Sequence, residues 1–149
     1  MIKINNINSN ILTIIKSNSA HIFVDTSNSI LNLEILDQKF NKEEFNNLCS
    51  GLTEFFLQAY KHNLKYFLIF DVRKIGIYPL SCYEEIKKTL EALKSVLPNV
   101  LHSTCIITEP SVSSHILTFF FKIYKPVRPA KIITSKDEIK PFFEENTLF

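Results

Sequence analysis

The sequence predicts an α/β fold: a single domain over residues 1–149 whose mixed sheet is antiparallel at its N-terminal end and parallel through a C-terminal βαβαβα part. Three observations predict it. Short apolar runs, one of them with a clear period of two, crowd the chain up to Leu36. An uninterrupted apolar run, Tyr66 to Phe70, is closed by Asp71 and fits a central strand covered on both faces. Beyond it, strand-like and helix-like stretches alternate at ordinary connection lengths, which implies parallel strands joined by right-handed crossovers.

The elements follow in order. Ile11 to Ile15 and Ala20 to Val24 read as strands around the polar turn Lys16-Ser17-Asn18-Ser19. In Ile30 to Leu36, Leu31, Leu33 and Ile35 fall on one side, and Asp25-Thr26-Ser27-Asn28 supplies the hairpin turn before it. Asn41 caps a helix with Glu44 as reciprocal partner; Phe45, Leu48, Cys49, Leu52, Phe55, Phe56 and Ala59 then recur at helical spacing up to Lys61-His62-Asn63. Ser81 with Glu84 is a second capping box, opening a helix to about Ser95 with Ile86, Leu90, Leu93 and Val96 on its core side. Pro98-Asn99 breaks the chain before a strand from Val100 to Ile107. Thr108-Glu109-Pro110-Ser111 starts a helix to Tyr124, which Pro126 and Pro129 end, and Ala130 to Ile133 is a short strand. Ser135 with Glu138 caps a last helix that Pro141 should kink or shorten.

Composition removes whole classes of chemistry. Among 149 residues there are two glycines, Gly51 and Gly76, too far apart for any glycine-rich phosphate loop. Dinucleotide dehydrogenases, P-loop enzymes and protein kinases are excluded. The net charge is +2 without a block of either sign, and Arg73 and Arg128 are the only arginines. That is no footprint for nucleic acid, which favours arginine and a strongly basic surface. Cys49, Cys82 and Cys105 are odd in number and widely spaced, suggesting no disulfide framework. No histidine has metal-ligand spacing, so neither metal nor cofactor is expected. Without a signal-like start or an apolar run of bilayer length, the chain reads as a soluble, cytoplasmic protein with no membrane span.

Asp71 stands at the carboxyl end of the central strand, where open α/β sheets place their sites, and Thr108, Glu109 and Ser135 share that edge if the sheet is parallel. They read either as a small polar cleft or, more plainly, as loop anchors and helix caps. Ser81 is a candidate phosphorylation site at a helix start or simply a cap, and Cys82 beside it has no neighbouring histidine to make it a nucleophile. In the helix from Ser111, Ile116, Phe119 and Phe120 line one side, while Phe121 and Tyr124 widen the stripe. Three adjacent phenylalanines fan over about 200 degrees, so one edge should meet a partner or be covered by another segment.

Two families resemble parts of this pattern. Tyr66-Phe67-Leu68-Ile69-Phe70-Asp71-Val72-Arg73-Lys74-Ile75, with the element order after it, resembles the STAS domain of anti-sigma factor antagonists. In that family a loop D-S-x-G or D-[ST]-[ST]-G carries the phosphorylated hydroxyl; here Pro79, Leu80, Ser81 and Cys82 take those places, so the switch is lost. Ile106-Ile107-Thr108-Glu109-Pro110 and Leu117 to Pro126, ending in Lys-Pro, look like the strand, turn and helix of CRAL-TRIO lipid-binding domains. Those domains are longer and build their lipid cavity with further helices. The STAS resemblance implies a non-enzymatic regulatory domain that binds a protein partner or its own copy through residues 111–124 and the 73–81 loop. The alternative it competes with is a small CRAL-TRIO-like binder of lipid or another apolar ligand.

Overall fold

A computed structural model describes residues 10–36, 42–74, 80–110 and 128–147 of the chain, with the backbone alone for 80–83. Among these residues, six strands form one mixed sheet in sequential order: β1 (Ile11–Lys16), β2 (Ala20–Asp25), β3 (Ile30–Ile35), β4 (Tyr66–Asp71), β5 (Leu101–Ile107) and β6 (Ala130–Ile133). β1, β2 and β3 pair antiparallel, and β3 through β6 pair parallel. This is the mixed α/β sheet that the alternation of patterns predicts.

Local chemistry sets the two hairpins. Ser17 Oγ accepts from the amides of Ser19 and Ala20, at 3.2 and 3.1 Å, closing the β1–β2 turn. In the β2–β3 turn, Asp25 Oδ1 accepts from Ser27 N at 3.0 Å, and its Oδ2 from Asn28 Nδ2 at 2.8 Å. An aspartate that folds back on the amide two residues ahead fixes such a turn. Ser29 then takes a φ of 54°, the left-handed step that re-aims the chain into β3.

Helices α1 (Lys42–Lys61), α2 (Leu80–Ala92) and α3 (Leu97–Val100) pack their apolar sides on one face of the sheet. The period of two carries that face: Ala20, Ile22, Val24, Leu31, Leu33 and Ile35 are all buried against Phe45, Leu48, Phe56 and Ala59 of α1. Gly51 sits in the middle of α1, where glycine weakens a helix. A Cβ there would fall on the Ile15 Cδ1 methyl and lie 3.1 Å from Cγ1, so the missing side chain lets α1 approach β1 closely. Gly51→Ala is expected to change stability by less than about 1 kcal/mol, the helix gain offsetting a displaced Ile15 end. Gly51→Leu should cost about 2 kcal/mol or more, as urea denaturation would read.

Two boundaries differ from the sequence pattern. Pro98 does not break straight into a strand: it sits in the first turn of α3, where a proline lacks no needed N–H, and β5 begins at Leu101. The last helix opens as a 3-10 turn, Lys136–Glu138, capped by Ser135 Oγ on Asp137 N at 3.3 Å, before α4 (Ile139–Glu145). Pro141 therefore falls in the first α turn, where its missing donor costs nothing. Asn41 lies outside the described residues. Among those described, no helix is long and apolar enough to cross a membrane.

Candidate functional site

The other face of the sheet is built differently. Strand alternation sends Phe23, Ile30, Asn32, Phe67, Ile69, Cys105 and Ile107 to the side away from α1. Cys105, Ile107 and Ile133 are buried there, while Ile30, Phe67 and Ile69 are only half-buried. Among the described residues, the helical cover comes from the C-terminal segment, through Ile139, Phe142 and Phe143. Phe67 is the anchor. Its ring stacks on Phe143 at 4.5 Å between centroids and on His102 at 4.4 Å. Burial pushes the Cys105 thiol up to about 11, so it stays protonated at neutral pH and acts as an apolar floor atom.

The rim of this floor is polar. On the β2 side, the His21 and Phe23 rings lie tilted with centroids 4.5 Å apart, and His21 Nε2 lies 3.2 Å from Thr13 Oγ1. At the carboxyl edge of the parallel strands, Asp71 stands opposite Glu34 in register and is gripped by Arg73. Arg73 donates from Nε to Asp71 Oδ1 at 3.0 Å and from Nη2 to Oδ2 at 2.6 Å, and its own amide donates to Oδ1 at 3.1 Å. Glu34 and Glu109 add negative potential at Arg73, and Lys136 adds positive potential at Asp71. Burial alone would raise the Asp71 carboxyl, but the Arg73 hydrogen bonds and the two cations outweigh it and hold the group below the usual carboxylate range.

That shift has a sign. A carboxyl depressed in the folded state contributes its full stability above its unfolded value of roughly 4, and loses it as pH falls through the lower folded value. Asp71→Asn is expected to cost about 1 kcal/mol at neutral pH, since Arg73 is partly exposed and water screens the pair. The variant should also lose less stability than the parent on acidification. Urea denaturation at neutral and acid pH checks this; an unchanged acid limb would contradict it.

The parallel sheet does bring Asp71, Thr108, Glu109 and Ser135 to one edge: Val72 N donates to Ile107 O at 2.9 Å and Thr108 N to Ile133 O at 3.0 Å. Asp71 anchors the Arg73 amide and Ser135 caps the last segment, whereas the fully buried Thr108 Oγ1 has no hydrogen-bond partner among the described residues. Ser81 is the second residue of α2, one turn position inside the helix instead of at its cap, and its side chain is not among those described. Ile116, Phe119, Phe120, Phe121 and Tyr124, with loop residues 75–79, also lie outside the described residues. Sequence reasoning missed the Phe67–His102–Phe143 stack and the Arg73 grip on Asp71. The second had a local signal, Asp-Val-Arg straight after an apolar strand; the first joins residues too far apart to be paired by pattern.

Compared with known proteins, residues 18–148 match the family model of the CRAL/TRIO domain. No curated protein matches the chain. This match corrects the expectation of a STAS-like regulatory domain acting through a protein partner or its own copy. The physical reason is that strand-helix order is common to both resemblances and cannot separate them. The residues that differ between them, Ile106 to Pro110 and Leu117 to Pro126, pointed to the family that matches.

Proposed function

The chain belongs to the CRAL/TRIO domain family, and from that premise we propose that it binds a small lipid or other apolar molecule without transforming it. The family match over residues 18–148 carries the reading. The second sheet face supplies the surface: a mostly apolar floor of Ile30, Phe67, Ile69, Cys105 and Ile107, with Asn32 among them, against which Phe142 and Phe143 pack, and with further polar groups at its rim. Ligand sites are concave and mostly apolar, with a few polar groups that orient the guest, and this face has that composition. A binding role without catalysis is supported by the chemistry at hand. The floor thiol is held protonated, and the carboxylate best placed to act is committed to Arg73.

Native mass spectrometry of the gently purified chain tests this. The expected spectrum contains a species heavier than the polypeptide by one small apolar molecule, released when the protein is denatured. A bare polypeptide mass that also fails to take up added lipid would overturn the proposal.

A further inference from the structure

The end of the fold opposite Asp71 exposes apolar surface. Five large apolar side chains among the described residues, Ile11, Leu12, Leu57, Tyr60 and Leu64, are between 42% and 56% exposed. All five lie toward the amino edge of the parallel strands. Leu57 and Tyr60 are in the last two turns of α1, and the helix cap fixes Leu64 just beyond them. Asn63 takes a φ of 55°, its amide donates to the Tyr60 carbonyl at 3.2 Å, and the Leu64 amide donates to the Ala59 carbonyl at 2.8 Å. Ile11 reaches the same edge through the sheet: it pairs with Asp25, Asp25 with Ile30, and Ile30 with Phe67 at the start of β4. The charge beside these side chains is positive. From Phe55 to Phe70 the chain carries Lys61, His62 and Lys65 and no carboxylate. Lys94, exposed beyond the end of α2, adds a further cation at this end, with Glu91 beside it. Of the other carboxylates nearby, Glu54 accepts from Gln58 Nε2 at 3.3 Å, and Asp25 is folded into its own turn. Acidic groups collect instead at the carboxyl edge: Glu34, Asp71 and Glu109 at strand ends and Glu43 and Glu44 in the first turn of α1, with Arg73 and Lys136 among them.

We infer that this end docks the protein on an anionic lipid surface, with Tyr60 and Leu64 entering the headgroup layer and Lys61 and Lys65 set against the phosphates. Charge complementarity selects this partner. A second copy of the chain would bring the same lysines against these, and like charges facing each other oppose association. An anionic bilayer offers negative charge at its surface and apolar chains just beneath, which answers both parts of the patch. Tyr60 suits that boundary, because its ring is apolar and its hydroxyl stays wet. The contact is peripheral, since no described helix is long and apolar enough to cross a membrane. It uses neither the second sheet face nor a bound ligand, so a bare polypeptide mass in the test above leaves it standing.

Sedimentation of the full chain with vesicles tests it, comparing phosphatidylcholine alone with phosphatidylcholine carrying about 30% phosphatidylserine, at low salt. The anionic vesicles should bind at least about tenfold more tightly, and the difference should shrink in about 0.5 M salt, where charges are screened. Lys61→Glu with Lys65→Glu should weaken anionic binding by about tenfold or more. Lys87→Glu with Lys88→Glu, the same change of charge at exposed positions of α2, should leave it within about twofold. Tyr60→Ser with Leu64→Ser keeps every lysine and should still weaken binding by about fivefold or more, through lost apolar contact. Urea denaturation of each variant restricts the comparison to folded chains. No binding to either vesicle, equal binding to both, or an equal loss in the α2 variant would overturn the inference. A parent that self-associates without vesicles, and separates in Tyr60→Ser with Leu64→Ser, would also overturn it and give this end to a second copy.

Discussion

Phe67→Ala is expected to lower stability by about 3 kcal/mol and to abolish retention of an apolar ligand. Truncating a phenylalanine that other rings pack upon costs the transfer energy of the ring and leaves a cavity, together roughly 3 kcal/mol at a partly buried site. Phe67 makes this loss specific, because its ring holds two others: Phe143 of α4 on one contact and His102 of β5 on the other. Without it, α4 loses the ring on which Phe143 stacks, and the floor between Ile30 and Ile69 opens to water. Ring stacking adds a further contribution of about 1 kcal/mol that a leucine cannot restore. Phe67→Leu should therefore recover most of the burial but only part of the ligand retention. Urea denaturation measures the first effect and lipid content the second. Unchanged stability in Phe67→Ala would show that α4 is held by other contacts.

Leu31→Ala carries a similar cost with the opposite functional result. Leu31 is fully buried on the α1 side of the sheet, so removing three carbons leaves a cavity that its packed neighbours refill only in part. The expected loss is about 3 kcal/mol, within the range for leucine-to-alanine changes in packed cores. Leu31 faces away from the proposed floor, since its register partner Leu68 belongs to the α1-side core and its neighbours Ile30 and Asn32 point the other way. Ligand binding should survive in the folded fraction. Comparable loss of ligand from Leu31→Ala and Phe67→Ala would mean that binding follows stability alone and has no address on the second face.

Much of the architecture was written locally. Ala20, Ile22 and Val24 on one side of β2 and Leu31, Leu33 and Ile35 on one side of β3 identify a face that packs on a helix, and they do. The run from Tyr66 to Phe70 has no polar side, and β4 accordingly meets apolar residues on both faces. Asp25 and Ser17 announce their turns because their side chains bond backbone amides within three residues. The limits come where a property depends on distant residues. Whether Pro98 breaks or begins a helical turn depends on the strand that follows. Ser81 offers a capping pattern, yet the helix opens at Leu80. The ring stack unites residues from β4, β5 and α4, and no spacing in the chain foretells it. The same holds for the family: order alone favoured the wrong resemblance, while two short runs with specific residues carried the right one.

The most direct test of the central claim is the lipid content of matched variants. Parent, Leu31→Ala and Phe67→Ala chains, purified identically and kept at a temperature where each is folded, are extracted with organic solvent and the extracts quantified per mole of protein. An apolar molecule is expected at near stoichiometric amount in the parent and in Leu31→Ala, and at least about tenfold less in Phe67→Ala. Equal lipid in all three folded chains, or a parent that neither carries nor takes up lipid, would contradict it.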